Sequence, residues 1–253
     1  MSFVEASFLG AIAGFTIFLG LPVGRLNNLS QRARVALSML SAGILAFLFM
    51  DVGAEGLGIV ETHLDRFKEH DASLWPVVGP FALLSVGFLI GLGGIASVQR
   101  RLRTRPPFAG AEAATAVGAA ELGDQRRAIA TVEARALRTG MVIACAIGLH
   151  NSTEGFGIVG PLTGVRPSWR WLGLAGLVAG GPTFLGAMVG YQVTSDALEL
   201  CFFALAAGAI LYVIGEIWAG VRRQGHAELG LYMLGVGFLL GIATDLVVAY
   251  GGA

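Results

Sequence analysis

Runs of about twenty largely apolar residues recur seven times along the chain, and no other feature limits its fold so sharply. They cover Phe3–Gly24, Ala36–Val60, Trp75–Val98, Thr139–Pro161, Leu172–Gly190, Ala197–Gly220 and Gly230–Tyr250. A hydrocarbon core of about 30 Å takes roughly 20 helical residues to cross. No water is at hand inside that core for backbone amides and carbonyls, so only helices or a closed barrel satisfy them. None of the runs alternates polar with apolar residues as a barrel strand does. The expectation is an all-α fold: a polytopic transmembrane helix bundle of seven clear spans, forming a single domain over residues 1–253.

Composition supports this and narrows the partners. The chain is 55% apolar and 13% charged, with a mean hydropathy of +0.73, which leaves no room for a large soluble domain. Seventeen basic and 17 acidic residues cancel, so no nucleic-acid partner is implied and the partner to expect is the lipid bilayer. Cys145 and Cys201 both fall inside apolar runs and read as small buried thiols rather than a disulfide framework. Glu5 stands where a secretory leader carries basic residues, so Met1–Gly24 reads as a first span. Gly91, Gly93 and Gly94, like Gly235, Gly237 and Gly241, form small-residue faces suited to close helix packing, and they leave homodimerisation open.

Charge in the loops orients the bundle. Arg25, Arg32 and Arg34 follow the first span, and Arg100, Arg101, Arg103 and Arg105 follow the third. The positive-inside rule places both clusters in the cytoplasm and the N-terminus outside, in a multi-pass protein of the cell (inner) membrane. Residues 99–138 then form a cytoplasmic loop with a charged helical lead into the fourth span; a weak eighth span within Pro107–Leu122 is the less favoured reading. Seven-span alternation places Arg166, Arg170, Arg222 and Arg223 outside, against the rule. Asp196, with Glu199 three residues later, resembles a capping pair opening the sixth span.

Polar residues at membrane depth mark where such a bundle works. The densest group is in Ala144–Gly160. His150 and Glu154 are four apart and share a helical face, with Asn151 one step round. Imidazole nitrogen, amide oxygen and carboxylate oxygen suit divalent transition metals such as zinc, manganese, iron(II) and cobalt. Asp51 and Glu55 form a second i,i+4 pair in the second span, Glu216 lies in the sixth, and Thr183 in the fifth is a candidate lining residue. The acidic stretch Glu61–Asp71, with His63 and His70, reads as a solvated loop.

The stretch His150-Asn-Ser-Thr-Glu-Gly-Phe-Gly-Ile-Val-Gly-Pro-Leu162 resembles the metal motif of the ZIP family of divalent metal transporters. Ser41–Asp51 is similar to that family's second helix, Leu177–Gly186 to its Gly-rich helix after the metal motifs, and Ala206–Glu216 to its penultimate one. The resemblance covers nearly the whole chain. It implies a ZIP-like bundle of eight helices and metal ligation by His150, Asn151 and Glu154, with Asp51 and Glu216 in matching helices. Two departures stand out: one motif is present where the family usually has two, and Gly180-Gly181-Pro182 replaces a ligand-bearing stretch. One helix is thus read as absent or fused, and restoring a crossing before Arg166 brings the later Arg pairs inside.

Two functions from different classes follow. The first is a transporter carrying a divalent metal ion, zinc foremost, by ligand exchange at a mid-membrane site. The metal is substrate, Glu55 and Thr183 line its entry, and no organic cofactor is needed. The second is a non-transporting ZIP-like membrane protein, a sensor or scaffold with an eroded site. A metal-dependent hydrolase needs about three ligands, an open position and a separate base, so the chain is read as a non-enzyme.

Overall fold

Helix α2 (Gln31–His70) is the longest element among the described residues, and three of the other long helices pack against it. A computed structural model describes residues 3–26, 28–70, 75–102, 151–190 and 195–251. The other helices are α1 (Phe3–Thr16), α3 (Trp75–Leu102), α4 (residues 151–159), α5 (Trp169–Gly190), α6 (Asp196–Arg222) and α7 (Ala227–Gly251). Short 3-10 turns at Ile17–Leu19, Leu21–Arg25 and Gly160–Leu162 finish α1 and α4. Pro22 and Pro161 stand at the starts of two of these turns, where a missing N–H breaks no helical bond. Every element among the described residues is helical.

Four of these helices, α2, α3, α6 and α7, are long and apolar enough to cross a membrane. The outer faces of α3 and α7 carry exposed Phe81, Leu89, Ile90, Leu231, Leu239 and Leu246, an apolar exterior that suits lipid rather than water. Inside, Leu45 and Leu48 of α2, Ile158 of α4, and Phe203 and Ile210 of α6 are shut away at 2% exposure or less.

Serines open the helices. The Ser30 hydroxyl accepts from the Ala33 amide at 3.2 Å and the Ser168 hydroxyl from the Trp171 amide at 3.1 Å, satisfying donors the helix cannot. At α6 the cap is Ser195, whose side chain accepts from Leu198 N, so the opening lies one residue before the Asp196–Glu199 pair expected to supply it. Replacing Ser30 with alanine is expected to lower stability by about 1 kcal/mol, read as the thermal midpoint of the purified protein in detergent.

Glycine sets the crossings. A Cβ added to Gly43 of α2 would collide with the Leu234 carbonyl of α7, and one on Gly237 with the Leu40 carbonyl. The same mutual exclusion joins Gly91 of α3 to the Leu205 carbonyl and Gly208 of α6 to the Phe88 carbonyl. Gly14 and Gly180 do likewise between α1 and α5. Backbones approach this closely only where no side chain intervenes, which is how lipid-embedded helices gain packing. Of the small-residue faces read from sequence, Gly91, Gly237 and Gly241 are used within the chain, whereas an added Cβ at Gly93, Gly94 or Gly235 meets nothing within 4 Å.

These crossings give the helices their directions. Rising numbers pair with rising numbers between α2 and α7 (Gly43 with Gly237, Phe47 with Gly241) and between α3 and α6 (Gly87 with Ala204, Gly91 with Leu205), so both pairs are parallel. Antiparallel pairs are α1 with α5 (Phe18 against Gly176) and α2 with α6 (Gly56 against Leu200 and Phe203, Gln31 bonded to the Gln224 carbonyl). Exchanging α1–α2–α3 with α5–α6–α7 maps each of these contacts onto another. The fold is therefore built on an inverted repeat with a pseudo-two-fold axis in the membrane plane.

Three expectations need correcting. The stretch from Glu61 is no loop: α2 continues helically to His70, with Lys68 bonded to Asp65 one turn back at 2.9 Å. Likewise α3 runs on to Leu102, past the expected start of a loop at residue 99. Alternation by seven spans also fails. The Arg25 guanidinium donates to the Pro167 carbonyl at 2.7 Å and Gly164 N to the Leu26 carbonyl at 3.3 Å. With the Gln31–Gln224 bond, these place the loops bearing Arg166, Arg170, Arg222 and Arg223 at the same end as Arg25, Arg32 and Arg34. The expected span from Thr139 is described only from residue 151, and Cys145 and the weak span within Pro107–Leu122 lie outside the described residues.

Candidate functional site

Helix α4 carries Asn151 and Glu154, and it is held on both flanks. On one side Gly155 lies against the Ile17 carbonyl and Gly20 against the Ser152 carbonyl, approaches that exclude any Cβ. The Ser152 hydroxyl donates to the Thr16 carbonyl at 3.1 Å across the same contact. On the other side Ser41, wholly buried in α2, donates to its own helix at the Leu37 carbonyl (3.0 Å) and reaches the Phe156 carbonyl of α4 at 3.3 Å. Gly160 packs against the same Ser41 side chain. The Gly164 turn closes the far end: its φ of +90° is one a side chain resists, and the Arg34 side chain lies against it.

So gripped, α4 aims its polar residues inward. Asn151 and Glu154 are each 2% exposed, and both Glu154 carboxylate oxygens are screened from solvent. A carboxylate in such surroundings costs several kcal/mol to keep ionised unless charge or hydrogen bonding compensates it. Neither residue faces the bundle exterior where lipid belongs. His150, the third member of the expected turn, lies outside the described residues.

Helix register separates the remaining candidates. Helix α4 runs antiparallel to α2, with Gly157 against Ile44 and Leu45 and Gly160 against Ser41. Asn151 therefore stands at about the height of Asp51, and Glu154 at about that of Phe47. Asp51 and Glu55 are half-buried one turn apart on α2, at and beyond that height. Glu216 is half-buried on α6 but falls level with about Leu40, roughly 16 Å along the axis from Asp51 at 1.5 Å per residue. The two carboxylates expected to share a site thus stand at different depths. Thr183 lies on α5 one turn past the Gly180 crossing. Among the described residues no three His, Cys, Asp or Glu side chains gather closely enough to hold a metal ion.

Sequence reasoning missed Ser41, Ser152 and Arg25. The two serines were hidden because a hydroxyl inside an apolar run reads as neutral, although each bonds to a neighbouring helix here. Arg25 passed as one more orienting charge, yet its guanidinium also lies over the Trp169 ring at 4.5 Å from the centroid. No protein-family model matches the chain, and no curated protein matches it either.

Proposed function

We propose that the chain carries a divalent transition-metal ion, zinc foremost, across the cell membrane by ligand exchange at the His150–Glu154 turn. The observation behind this is Glu154, a carboxylate shut inside an apolar helix bundle beside a buried carboxamide. Ionisable groups at such depth are rare and mark substrate or ion paths. Imidazole, amide and carboxylate together suit borderline divalent ions, and Asp51 stands at a height from which it can join them. The similarity to the ZIP family at His150–Leu162 agrees with this reading. The arginines of three loops gather at one end, which supports a cytoplasmic face there and an extracytoplasmic N-terminus.

A second reading, a non-transporting membrane protein that senses metal or acts as a scaffold, is favoured by one observation: a single metal motif stands where the family it resembles usually has two. Zinc uptake into proteoliposomes, with elemental analysis of the same preparation, decides between the two. The carrier takes up zinc above protein-free vesicles and loses that flux when His150 and Glu154 are both replaced by alanine. Absence of flux from the unaltered protein selects the second reading.

A further inference from the structure

The end of the bundle that carries Arg25 is strongly basic. Among the described residues, the loops over 26–30, 160–168 and 223–226 include no acidic side chain. Exposed Arg32, Arg34, Arg166, Arg170, Arg222 and Arg223 stand in or beside these loops. None of them has an ion-pair partner among the described residues. The opposite end is mixed, with Glu61, Asp65, Asp196 and Glu199 beside Arg66 and Lys68.

Apolar side chains are set between these charges. Leu26 is 46% exposed, Val165 57% and Trp169 62%, each next in sequence to Arg25, Arg166 or Arg170. Water penalises such exposure, whereas a membrane interface accepts both kinds of group. Rings and aliphatic groups enter the acyl chains there, and charged heads stay at the level of the phosphates. Contacts fix the loop in this arrangement. Arg25 Nη1 donates to the Pro167 carbonyl at 2.7 Å, and the same guanidinium lies over the Trp169 ring at 4.5 Å from its centroid. The Arg34 side chain lies against Gly164, which brings an arginine of α2 to the loop of Arg166.

We propose that this end of the bundle, and the loop over 163–170 above all, is a contact surface for the headgroups of anionic phospholipids. A guanidinium meets phosphate oxygens through paired N–H donors. A headgroup of net negative charge brings no cation of its own to compete for that phosphate. Several lipids share the surface; no single pocket holds one. Leu26, Val165 and Trp169 favour a lipid over a soluble phosphate, because only a lipid brings chains for them to enter. The surface is independent of what the α4 turn carries.

Tryptophan fluorescence of the full-length protein, reconstituted in phosphatidylcholine bilayers that contain brominated phosphatidylglycerol, tests it. The Trp169 share of the signal is taken by difference from Trp169→Phe. Brominated phosphatidylglycerol is expected to quench that share as though concentrated at least about fivefold over its bulk fraction. Arg166→Gln combined with Arg170→Gln is expected to return quenching to the bulk value, whereas Arg66→Gln at the opposite end keeps the enrichment. Equal quenching by brominated phosphatidylglycerol and brominated phosphatidylcholine overturns the proposal, and this comparison reports even if the double variant does not fold. Enrichment that survives in the double variant also overturns it. So does enrichment abolished by soluble glycerol phosphate, which marks a site for a free anion.

Discussion

Glu154→Gln is expected to abolish the proposed metal flux and to leave the bundle standing. The substitution keeps shape and one oxygen acceptor but removes the negative charge that would balance a doubly charged ion in a water-poor interior. Losing a residue that merely supports a ligand already costs about 10–100-fold in metal affinity or activity, so loss of a direct carboxylate ligand is expected at or above 100-fold. Stability should change little, because the isostere keeps the side chain's shape and volume at a site only 2% exposed. Zinc uptake in proteoliposomes should fall to the level of empty vesicles, with a thermal midpoint in detergent no lower than that of the unaltered protein. Flux surviving at more than a tenth of the original rate would remove Glu154 from the transport site. A collapse in stability together with flux would recast it as a structural group.

The other large effect belongs to the helix crossings. Gly43→Ala sets a methyl group against the Leu234 carbonyl and the α7 backbone, which cannot swing aside as a side chain does. Overpacking of this kind costs about 1–3 kcal/mol, and Gly43→Leu is expected to prevent folding. Gly237→Ala should behave as Gly43→Ala does, because its clash with the Leu40 carbonyl is the reciprocal one. Gly235→Ala is the control two residues away. Its added Cβ meets nothing within 4 Å, and alanine is better than glycine in a helix by about 1 kcal/mol, so stability holds or rises. Thermal midpoints of the three alanine variants measured side by side should split in this pattern. Equal losses at Gly43 and Gly235 would mean that the α2–α7 crossing is not as described.

The contrast between Gly235 and Gly237 also shows where sequence reading ended. Apolar runs located α3, α5, α6 and α7 to within a few residues, because burial in lipid demands length and apolarity and both are visible in one dimension. The same criterion cut α2 short at Val60. Apolarity stops where water begins, but helix propensity does not, and Glu61, Asp65 and Lys68 are compatible with further turns. Which glycine in a run meets another backbone depends on helix rotation, which spacing alone does not give. Asp51 and Glu216 posed the same difficulty: the sequence places both inside apolar runs, yet depth depends on which ends of α2 and α6 meet. For the site, periodicity was enough to turn Asn151 and Glu154 inward together, three residues apart on one turn. His150 lies outside the described residues.

Helix α2 has a mechanical consequence. Forty residues at 1.5 Å each reach about 60 Å, twice the roughly 30 Å of a bilayer's oily interior. Even a 40° lean uses up only about 40 Å, so some 20 Å of the same rod stands clear of the lipid. Any rocking of α2 within the membrane is carried to that end, and a spin label or fluorophore placed near Leu64 would read such a swing from the aqueous side.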